Sequence, residues 1–366
     1  MTKVALISGD SSLTGAPSHI FRLAKGLRKK GFDILVIAPP GPLIRRCQNI
    51  RLKAREVLMG NVFDRQADHK IREILQEFSP EIAHFHGTRG GWLGRLAARK
   101  LPKIKKVYTE HLWTKDFHLS NRGWEQFQLR GLKFLDRWTD KTVAVSKAVK
   151  DFLVKRGFKR KKIVVVPDGI NPEFLKINKI KKPKEVPLVI GSVGSLNQVK
   201  NYRNTILAVA KAKELAPEIN FHYQIIGEGP LEKNLQALVK KKGLEKTVHF
   251  MGRVESVSER LRHFSIFINT SFSESFGLAV GEAMAVGLPV IASNIESLRE
   301  LVSEKAGLFI NPKKIDEVAL AIVKLLKDEK LRESFGRNAK KRIEKHFSEE
   351  KMIKKTMKVY KELLNE

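Results

Sequence analysis

Short apolar segments alternate along the chain with longer segments whose apolar side chains recur every third or fourth position. The short segments predict buried strands, and the longer segments predict helices. In the first half, the predicted strands are residues 4–8, 34–38, 82–86, 107–109, 142–145 and 163–166, and the predicted helices are residues 20–30, 71–78, 92–101, 126–138 and 148–156. Strands that are apolar throughout and are joined by helices are typical of a parallel sheet covered on both faces.

The same alternation starts again in the second half. Its predicted strands are residues 188–193, 221–226, 248–251, 266–269, 290–292 and 308–310, and helical patterns follow over residues 315–327, 329–346 and 349–365. A polar, proline-containing segment at residues 177–187 separates the two series and has the composition of a linker. Because 366 residues also exceed the usual size of one core, we predict two α/β domains, residues 1–175 and 188–347, with a linker over residues 176–187.

The charge balance narrows the candidate partners. The chain has 70 Lys and Arg against 39 Asp and Glu, a formal net charge of +31, and residues 1–180 carry +21 of it. Such an excess favours an anionic partner, either nucleic acid or an anionic membrane surface. No nucleic-acid-binding motif is recognisable, so the membrane surface is the better candidate. A heat-adapted surface is an alternative, although it would carry a matching number of acidic residues.

Two further features bear on the compartment. No apolar run approaches the roughly 18 residues of a membrane-spanning helix, and the N-terminal apolar segment is too short for a signal peptide. Cys47 is the single cysteine, which excludes an internal disulfide, and no His/Cys cluster accompanies it as a metal site. These features favour the cytoplasm.

The segment over residues 270–289 carries the most informative pair of side chains. Glu274 lies in a Ser/Gly loop after the predicted strand 266–269, and Glu282 lies about one turn into a helix predicted to start near Gly277. The start of a helix presents free N–H groups and partial positive charge, which bind a diphosphate without a metal. Gly277 lets the backbone approach such an anion closely. One carboxylate would lie beside a reacting sugar, and the other would accept hydrogen bonds from a ribose.

This pair, within Ser-Glu-Ser-Phe-Gly and Glu-Ala-Met-Ala-Val-Gly-Leu-Pro, resembles the Glu-x7-Glu signature of family 4 retaining glycosyltransferases. The resemblance covers nearly the whole chain and is most specific over residues 200–301. It implies the GT-B fold, in which two Rossmann-like domains face each other across a cleft. It also implies that a C-terminal helix, here residues 348–366, returns to the first domain, which binds the acceptor while the second binds the nucleotide-sugar donor.

The resemblance assigns roles in the second domain. Glu274 would bind hydroxyls of the transferred sugar, Glu282 the ribose, and Lys200 the donor diphosphate, whose negative charge grows as the nucleotide leaves. Family members usually carry an arginine where this chain has Ser195, so Arg203, Arg253 or a helix terminus would have to replace that cation, or turnover would be slow. The donor-binding candidates are Ser195, Gly227, Arg253, Val254, Ser275, Phe276, Gly277, Leu278 and Glu282. Of these, Gly227 begins a Gly-x-Gly segment that is equally consistent with a tight structural turn.

In the first domain, residues 14–19 match a glycine loop of the family, and Gly15 is its candidate donor contact. His111 matches the position that touches the transferred sugar and is the third catalytic candidate beside Glu274 and Lys200. Ser146 lies near the donor in similar proteins, although its hydroxyl is also a good helix N-cap. His86 ends a strand as well and is equally consistent with a structural histidine. Two histidines at strand ends also suggest a metal, but no Asp-x-Asp sequence is present, so we predict a diphosphate site without one.

The first domain also combines aromatic and basic residues. All four tryptophans lie within residues 92–138, basic residues are interleaved with them, and a basic run follows at residues 155–162. This composition favours docking at the bilayer interface, where rings lie at headgroup depth and cations meet anionic lipid. The alternative is a set of buried rings beside solvated lysines.

We therefore predict a retaining, metal-independent hexosyltransferase that uses a UDP- or GDP-linked sugar and a lipid-linked or membrane-proximal glycan acceptor. It would act in glycolipid, lipopolysaccharide or polysaccharide synthesis at the inner face of the membrane, with no cofactor and no nucleic-acid partner. A nucleotide-sugar epimerase or phosphorylase of the same fold is one alternative, and a noncatalytic basic protein that binds membrane or nucleic acid is another. An NAD-dependent enzyme would need Gly-x-Gly-x-x-Gly after a strand, which this sequence does not contain.

Overall fold

The structure is a computed structural model that describes residues 1–12, 15–119, 121–177 and 186–365. The chain forms two compact units, Met1–Gly169 together with the segment from Glu349 onward, and Ile170–Ser348. The first boundary therefore lies after Gly169, earlier than the predicted residue 175. Residues 178–185 of the predicted linker lie outside the described residues.

The elements in the described residues run in chain order as follows. The strands are β1 (Lys3–Ser8), β2 (Asp33–Ala38), β3 (Lys53–Glu56), β4 (Ile82–His86), β5 (Lys105–Glu110), β6 (Lys141–Ala144), β7 (Ile163–Val165), β8 (Leu188–Val193), β9 (Phe221–Ile226), β10 (Val248–Phe250), β11 (Ile266–Asn269), β12 (Val290–Ser293) and β13 (Gly307–Ile310). The helices are α1 (Gly15–Lys29), α2 (Pro42–Asn49), α3 (Arg65–Phe78), α4 (Thr88–Ala98), α5 (Arg122–Leu135), α6 (Lys147–Lys155), α7 (Pro172–Lys176), α8 (Tyr202–Leu215), α9 (Glu232–Lys241), α10 (Val257–Leu261), α11 (Leu278–Val286), α12 (Glu296–Leu301), α13 (Ile315–Lys327), α14 (Glu329–His346) and α15 (Glu349–Leu364).

The first unit is built on a parallel sheet with the strand order β3-β2-β1-β4-β5-β6-β7. Its central strands are buried along almost their whole length, as expected for a sheet covered on both faces. The direction in which successive strands are added to the sheet reverses between β1 and β4. In a doubly wound sheet, ligands usually bind at the carboxyl ends of the two strands at this reversal.

Helix α15 belongs to the core of the first unit, as the family resemblance implied for the last helix. Met352, Ile353, Val359 and Tyr360 are buried in the same apolar cluster as the strands β1, β2 and β4. The contact with α1 is close, because a Cβ added at Gly26 would lie 2.1 Å from Cδ1 of Ile353. The chain thus returns to the first unit after completing the second.

The second unit repeats the arrangement with a parallel sheet in the order β10-β9-β8-β11-β12-β13. Its core joins apolar side chains of this sheet with those of α8, α9 and α13. The reversal here lies between β8 and β11. The segments that follow these two strands carry Lys200 and Glu274, so both residues lie at the ligand-binding edge.

Every strand predicted from the sequence is present, but two local predictions were wrong. Strand β3 was missed because its residues, Lys-Ala-Arg-Glu, are mostly charged and exposed, as is common for the edge of a sheet. Residues 15–19, predicted as a glycine loop, are the first turns of α1, and Pro17 fits there because the first turn of a helix needs no N–H donor. No helix among the described residues is both long enough and apolar enough to cross a membrane.

Candidate active site

A partly buried ion pair lies at the ligand-binding edge of the second sheet. The Nζ atom of Lys200 donates a hydrogen bond of 2.6 Å to Oε1 of Glu274. The same oxygen accepts bonds of 2.8 Å from Oγ of Ser271 and 3.1 Å from Nδ2 of Asn269. The amide of Asn269 is itself fixed, because its Oδ1 accepts a bond from the backbone N–H of Ser271. Glu274 is therefore held by three donors.

The charge state of Glu274 follows from two opposed effects. Burial acts to raise the pKa of this carboxyl. The Lys200 ammonium and the hydrogen bonds from Lys200, Asn269 and Ser271 lower the pKa by more than burial raises it, so that the pKa lies below its ordinary value. Glu274 is accordingly a carboxylate at neutral pH. The backbone is held as well, because Oγ of Ser297 donates a 2.7 Å bond to the carbonyl oxygen of Glu274.

Helix α11 begins directly after this loop, as predicted. Gly277 is its N-cap with φ of 93°, and no side chain caps the helix start. An added Cβ at Gly277 would lie 2.6 Å from Cδ2 of Leu298, so both the conformation and the packing require glycine. The uncapped N–H groups of this helix start are available to an anion.

The other predicted donor residues of this segment occupy different environments. Glu282 lies half-buried in the second turn of α11, and Ser275 and Leu278 flank the helix start half-buried. Phe276 is buried, and its ring packs at 5.7 Å from that of Phe347. Phe276 is thus a packing residue of this loop.

Three loops after neighbouring strands are joined to one another by backbone hydrogen bonds. The N–H of Gly194 donates to the carbonyl of Ile226, and the N–H of Gly227 donates to the carbonyl of Gly252, each at 2.9 Å. Gly227 has φ of 138°, and a Cβ there would lie 2.0 Å from the carbonyl oxygen of Gly194. The Gly-x-Gly segment is therefore a tight structural turn, which was one of the two interpretations of the sequence.

The cationic residues considered as replacements for the missing arginine are exposed. Ser195 lies exposed beside Gly194, Arg253 is exposed beside Gly252, and Val254 is half-buried. Arg203 lines a cavity of about 680 Å³ together with Asn234 and Lys241. Lys200 is therefore the cation that the structure joins directly to Glu274.

In the first unit, His111 lies in a cluster of histidines at the reversal point of the sheet. Its Nε2 is 3.1 Å from Nδ1 of His86, and its ring lies 4.9 Å from that of His19. Nδ1 of His19 pairs with Oδ1 of Asp168 at 2.6 Å. Burial, followed by the charge of the neighbouring His19, lowers the pKa of His111 to about 3 although Asp168 acts to raise it, so its imidazole is neutral at physiological pH.

The two remaining candidates of the first unit are helix-start residues. Gly15 is exposed and is the first residue of α1. Ser146 is buried, and its Oγ accepts a 3.2 Å bond from the N–H of Val149 as the N-cap of α6. The capping role considered from the sequence is therefore present.

The tryptophans divide between core and surface. Trp113 is buried, with its ring 6.3 Å from that of Phe152 in a parallel stack, so it cannot take part in docking. Trp124 is 43% exposed on α5 and stacks at 5.0 Å on Phe127, which is 36% exposed. Phe134, 47% exposed, continues this face of the helix. The predicted surface for docking at the bilayer interface is thus limited to α5 and the residues beside it.

Comparison with known proteins identifies the family. The profile described as Glycosyltransferase Family 4 matches residues 13–174, and that described as Glycosyl transferases group 1 matches residues 173–342. An uncharacterised glycosyltransferase of Methanocaldococcus jannaschii is 30% identical, over 80% of this chain and 78% of its own length. The chain belongs to the family 4 glycosyltransferases. The resemblance stated from the sequence is thereby confirmed.

Other relatives of this glycosyltransferase have more specific names. It is 28% identical to the N-acetyl-alpha-D-glucosaminyl L-malate synthase of Bacillus anthracis, over 98% of this chain and 95% of that one. It is 26% identical to the UDP-Gal:alpha-D-GlcNAc-diphosphoundecaprenol alpha-1,3-galactosyltransferase of Escherichia coli, over 98% of this chain and 96% of that one. Its fold matches that of Anabaena HepE in complex with UDP-glucose, with a TM-score of 0.85, 19% identity and coverage of 98% and 100%. The GT-B fold predicted from the sequence is thus also confirmed.

Sequence reasoning missed the side chains that hold Glu274 in this glycosyltransferase. Asn269 ends the strand β11 and Ser271 follows it, and both donate to the carboxylate. A polar residue at the end of an otherwise apolar strand was the available signal. Asp168 gave no such signal, because its partner His19 lies 149 positions away in the chain.

Proposed function

We propose that this glycosyltransferase transfers a sugar, with retention of anomeric configuration, from a UDP-linked donor to a lipid-linked acceptor. A GDP-linked donor is the second choice. The observation that carries the proposal is the Lys200–Glu274 pair beside the uncapped start of α11, at the ligand-binding edge of the second sheet. A cation and the free backbone N–H groups of a helix start, both found there, are the groups that bind the diphosphate of a nucleotide-linked sugar.

In this proposal the second unit binds the donor without a metal ion. Lys200 and the N–H groups of α11 stabilise the negative charge that develops on the departing diphosphate. All three donors to Glu274 contact Oε1, which leaves Oε2 to accept a hydroxyl of the transferred sugar. Glu282 accepts hydrogen bonds from the ribose. His111 of the first unit, neutral at physiological pH, contributes a hydrogen bond to the sugar.

The donor base and the acceptor class are inferred from two relatives and from one surface. HepE is described in complex with UDP-glucose, and the E. coli relative is named for a UDP-linked donor and a diphosphoundecaprenol acceptor. The B. anthracis relative is named for malate, a small soluble acceptor. The exposed face of α5 favours the lipid-linked class.

That face, which we call the α5 surface, combines rings and cations as an interfacial helix does. Besides Trp124, Phe127 and Phe134, it carries the exposed Arg122, Arg130, Lys133 and Arg137. Its buried side is formed by Leu129, Leu132 and Leu135. The cations continue into a cavity of about 620 Å³ lined by Arg130, Lys133, Arg137, Lys159 and Lys162. We propose that this surface binds anionic lipid at the inner face of the membrane.

Donor turnover tests the proposed chemistry. With a panel of UDP- and GDP-sugars and an undecaprenyl-diphosphate-linked acceptor, release of the nucleoside diphosphate should depend on the acceptor and should fall by at least two orders of magnitude in Glu274→Gln. Glu245→Gln, which changes an exposed carboxylate of the same unit, is the matched control. Sugar interconversion without any acceptor would instead indicate an epimerase. The anomeric coupling constant in the proton NMR spectrum of the product reports its configuration, and an inverted configuration would contradict retention.

Metal dependence is tested separately. Transfer by the wild-type protein should be unchanged by a chelator, because the proposed site holds the diphosphate with Lys200 and backbone N–H groups. A strict requirement for added Mg²⁺ in bond cleavage would refute this part of the proposal.

Membrane docking is tested by sedimentation with vesicles of phosphatidylglycerol and phosphatidylcholine. Neutralising Lys159, Arg160 and Lys161 to Gln should weaken binding by about 3 kcal/mol, on the order of 100-fold at low salt. Lys162 is left intact because its Nζ donates to the carbonyls of Asp136 and Thr139 and so supports the fold.

The control removes the same charge from the other unit, through Lys240, Lys241 and Lys242, which are exposed at the end of α9. A second variant, Phe134→Ser, should reduce binding at high salt as well, because the ring contributes apolar burial. Equal sedimentation of all variants with anionic vesicles would remove the docking proposal.

A further inference from the structure

The second unit contains a cavity of about 680 Å³ where the start of α8 faces α9. One side of it is a single face of α9 and its N-cap, formed mainly by residues 231, 234, 235, 238 and 241. Most of the other lining residues belong to the segment 197–204 at the start of α8. We call it the α8–α9 cavity. Its volume lies within the range of roughly 300–1,000 Å³ that is usual for small-molecule sites.

Part of the lining of the α8–α9 cavity is apolar. Leu231, Leu235 and Leu238 contribute to it from the α9 side, and the half-buried ring of Phe272 contributes from the loop after β11. A sugar ring presents C–H groups on its faces and hydroxyls around its edge. It can therefore pack one face on these side chains while its hydroxyls stay available for polar contacts.

A nearly buried amide in this lining has an acceptor without a donor. Asn201 is 6% exposed, and its Nδ2 donates to the carbonyl oxygens of Thr270 at 3.2 Å and Pro312 at 2.9 Å. These two bonds fix the orientation of the amide. Its Oδ1 does not cap α8, and it accepts no hydrogen bond from any described residue. Because an unsatisfied acceptor with so little access to water is costly, a ligand hydroxyl that donates to this oxygen would be favoured.

Three further amides of the lining have free hydrogen-bonding groups. The side chains of Gln198 and Asn234 are exposed and make no hydrogen bond within the described part of the chain. Asn197 uses its Oδ1 to accept the N–H of Lys200 at 3.2 Å, which leaves its NH₂ group for a ligand. An amide side chain both donates and accepts, as a hydroxyl does, so this set suits a ligand with several hydroxyls.

The same cavity is positively charged. Arg203 and Lys241 line it, no acidic residue does, and neither cation forms an ion pair with another described residue. The N-caps of both helices, Asn201 and Leu231, also belong to the lining, and neither helix start is capped by a side chain. Free N–H groups and the planar guanidinium of Arg203 are groups that bind phosphate oxygens.

We propose that the α8–α9 cavity binds a phosphorylated sugar. Arg203 contacts the phosphate, and Asn201, Asn234 and Gln198 contact the hydroxyls. The residues proposed above for the donor sugar and its diphosphate, Lys200 and Glu274, do not line this cavity, so the site is separate and does not depend on the proposed function.

Calorimetry with glucose 1-phosphate and glucose 6-phosphate tests the site. At least one of them should bind to the wild-type protein at one site per chain, and excess UDP should leave this binding in place. UDP is included because the segment 197–204 also carries Lys200. Glucose alone and inorganic phosphate alone should each bind at least about 10-fold more weakly, because each makes only part of the contacts.

Substitutions of exposed lining residues test the assigned contacts. Arg203→Gln should weaken binding of the sugar phosphate by about 10–100-fold, the value of a charge-assisted hydrogen bond, and Asn234→Ala by about 5–10-fold. The matched control is Lys240→Gln, which removes an exposed charge of α9 that does not line the cavity and should leave binding unchanged. Circular dichroism of each variant checks that it is folded.

Four results would overturn the proposal. The first is the absence of saturable binding of both sugar phosphates to the wild-type protein. The second is their complete displacement by UDP, which would place them in the donor site. The third is wild-type affinity in folded Arg203→Gln and Asn234→Ala. The fourth is tighter binding of UMP than of either sugar phosphate in the presence of excess UDP, which would identify a nucleotide as the ligand.

Discussion

The ion pair between Lys200 and Glu274 can be tested by a double-mutant cycle that separates stability from function. Lys200→Met and Glu274→Gln each remove one charge and nearly preserve side-chain volume, and the double variant removes both. In Lys200→Met the pKa of Glu274 should rise, because the ammonium that lowers it is lost. The carboxylate keeps only Asn269 and Ser271 as donors.

The expected loss of stability follows from the burial of the pair. Breaking a fully buried pair costs about 3–5 kcal/mol, but here the side chains are 24% and 11% exposed and two neutral donors remain, so we expect about 2 kcal/mol for each single variant. For a unit of this size that corresponds to a decrease in Tm of roughly 4–8 °C. The double variant leaves no unpaired charge and should recover at least half of this loss. With a loss of about 2 kcal/mol in each single variant and about 1 kcal/mol in the double variant, the coupling energy should be about 3 kcal/mol.

The effects of these substitutions on UDP binding and sugar transfer should differ from their effects on stability. If Lys200 contacts the diphosphate, Lys200→Met should weaken UDP binding by about 10–100-fold, the value of one charge-assisted hydrogen bond. Glu274→Gln should bind UDP as the wild type does, because its proposed contact is with the sugar. The double variant should be stable and still inactive in transfer. Urea unfolding and calorimetry with UDP measure the two properties independently.

A matched control is the pair of Lys327 and Glu218, which lie 3.1 Å apart but are 52% and 59% exposed. The same cycle there should give a coupling energy below about 1 kcal/mol and no change in UDP binding. The reasoning would be refuted if the double variant at Lys200 and Glu274 regained both stability and transfer activity. The pair would then be a structural element without a role in the donor site.

Two further predictions concern backbone and pH. Gly277→Ala should destabilise the protein by about 2–4 kcal/mol through its left-handed φ and its clash, whereas Gly243→Ala, also at positive φ but in open space, should cost only about 1 kcal/mol, as urea unfolding can measure. In the folded chain the pKa values of His86 and His111 lie below 6.5, so stability should be full above about pH 6.5 and fall as the pH decreases towards 3. His111→Gln should flatten this dependence of Tm, and an equally steep curve would contradict the assignment.

The strands were predictable because the sheets are covered on both faces. Residues 188–193, 221–226 and 266–269 were predicted with the bounds that the structure has, since each is rich in apolar residues and either ends at a polar residue or is followed by glycine. Strand β3 could not be found in this way, because an edge strand with exposed charged side chains has no apolar signal. The fold class was therefore readable from the interior strands alone.

The position of Glu274 was predictable, and its partners were not. A strand, a Ser/Gly loop and a helix start are local features, so the loop could be located from the sequence. The contact with Lys200 joins residues 74 positions apart and depends on the reversal of strand order between β8 and β11. The histidine cluster has the same origin in the first unit. The burial of Trp113 likewise depends on Phe117 and Phe152 packing around it, which composition does not reveal.

The return of α15 to the first unit determines the order in which a ribosome can complete the two units. Ile353, Val359 and Tyr360 fill the core beside α1, and the Tyr360 hydroxyl is 2.6 Å from Nδ1 of His84. These side chains are translated only after all of Ile170–Ser348. During synthesis the first unit therefore keeps an open apolar groove until α15 has been translated. The second unit, which is continuous in sequence, can fold as soon as it has been translated. A stop codon before α15 should prevent the first unit from folding and leave the second unit folded.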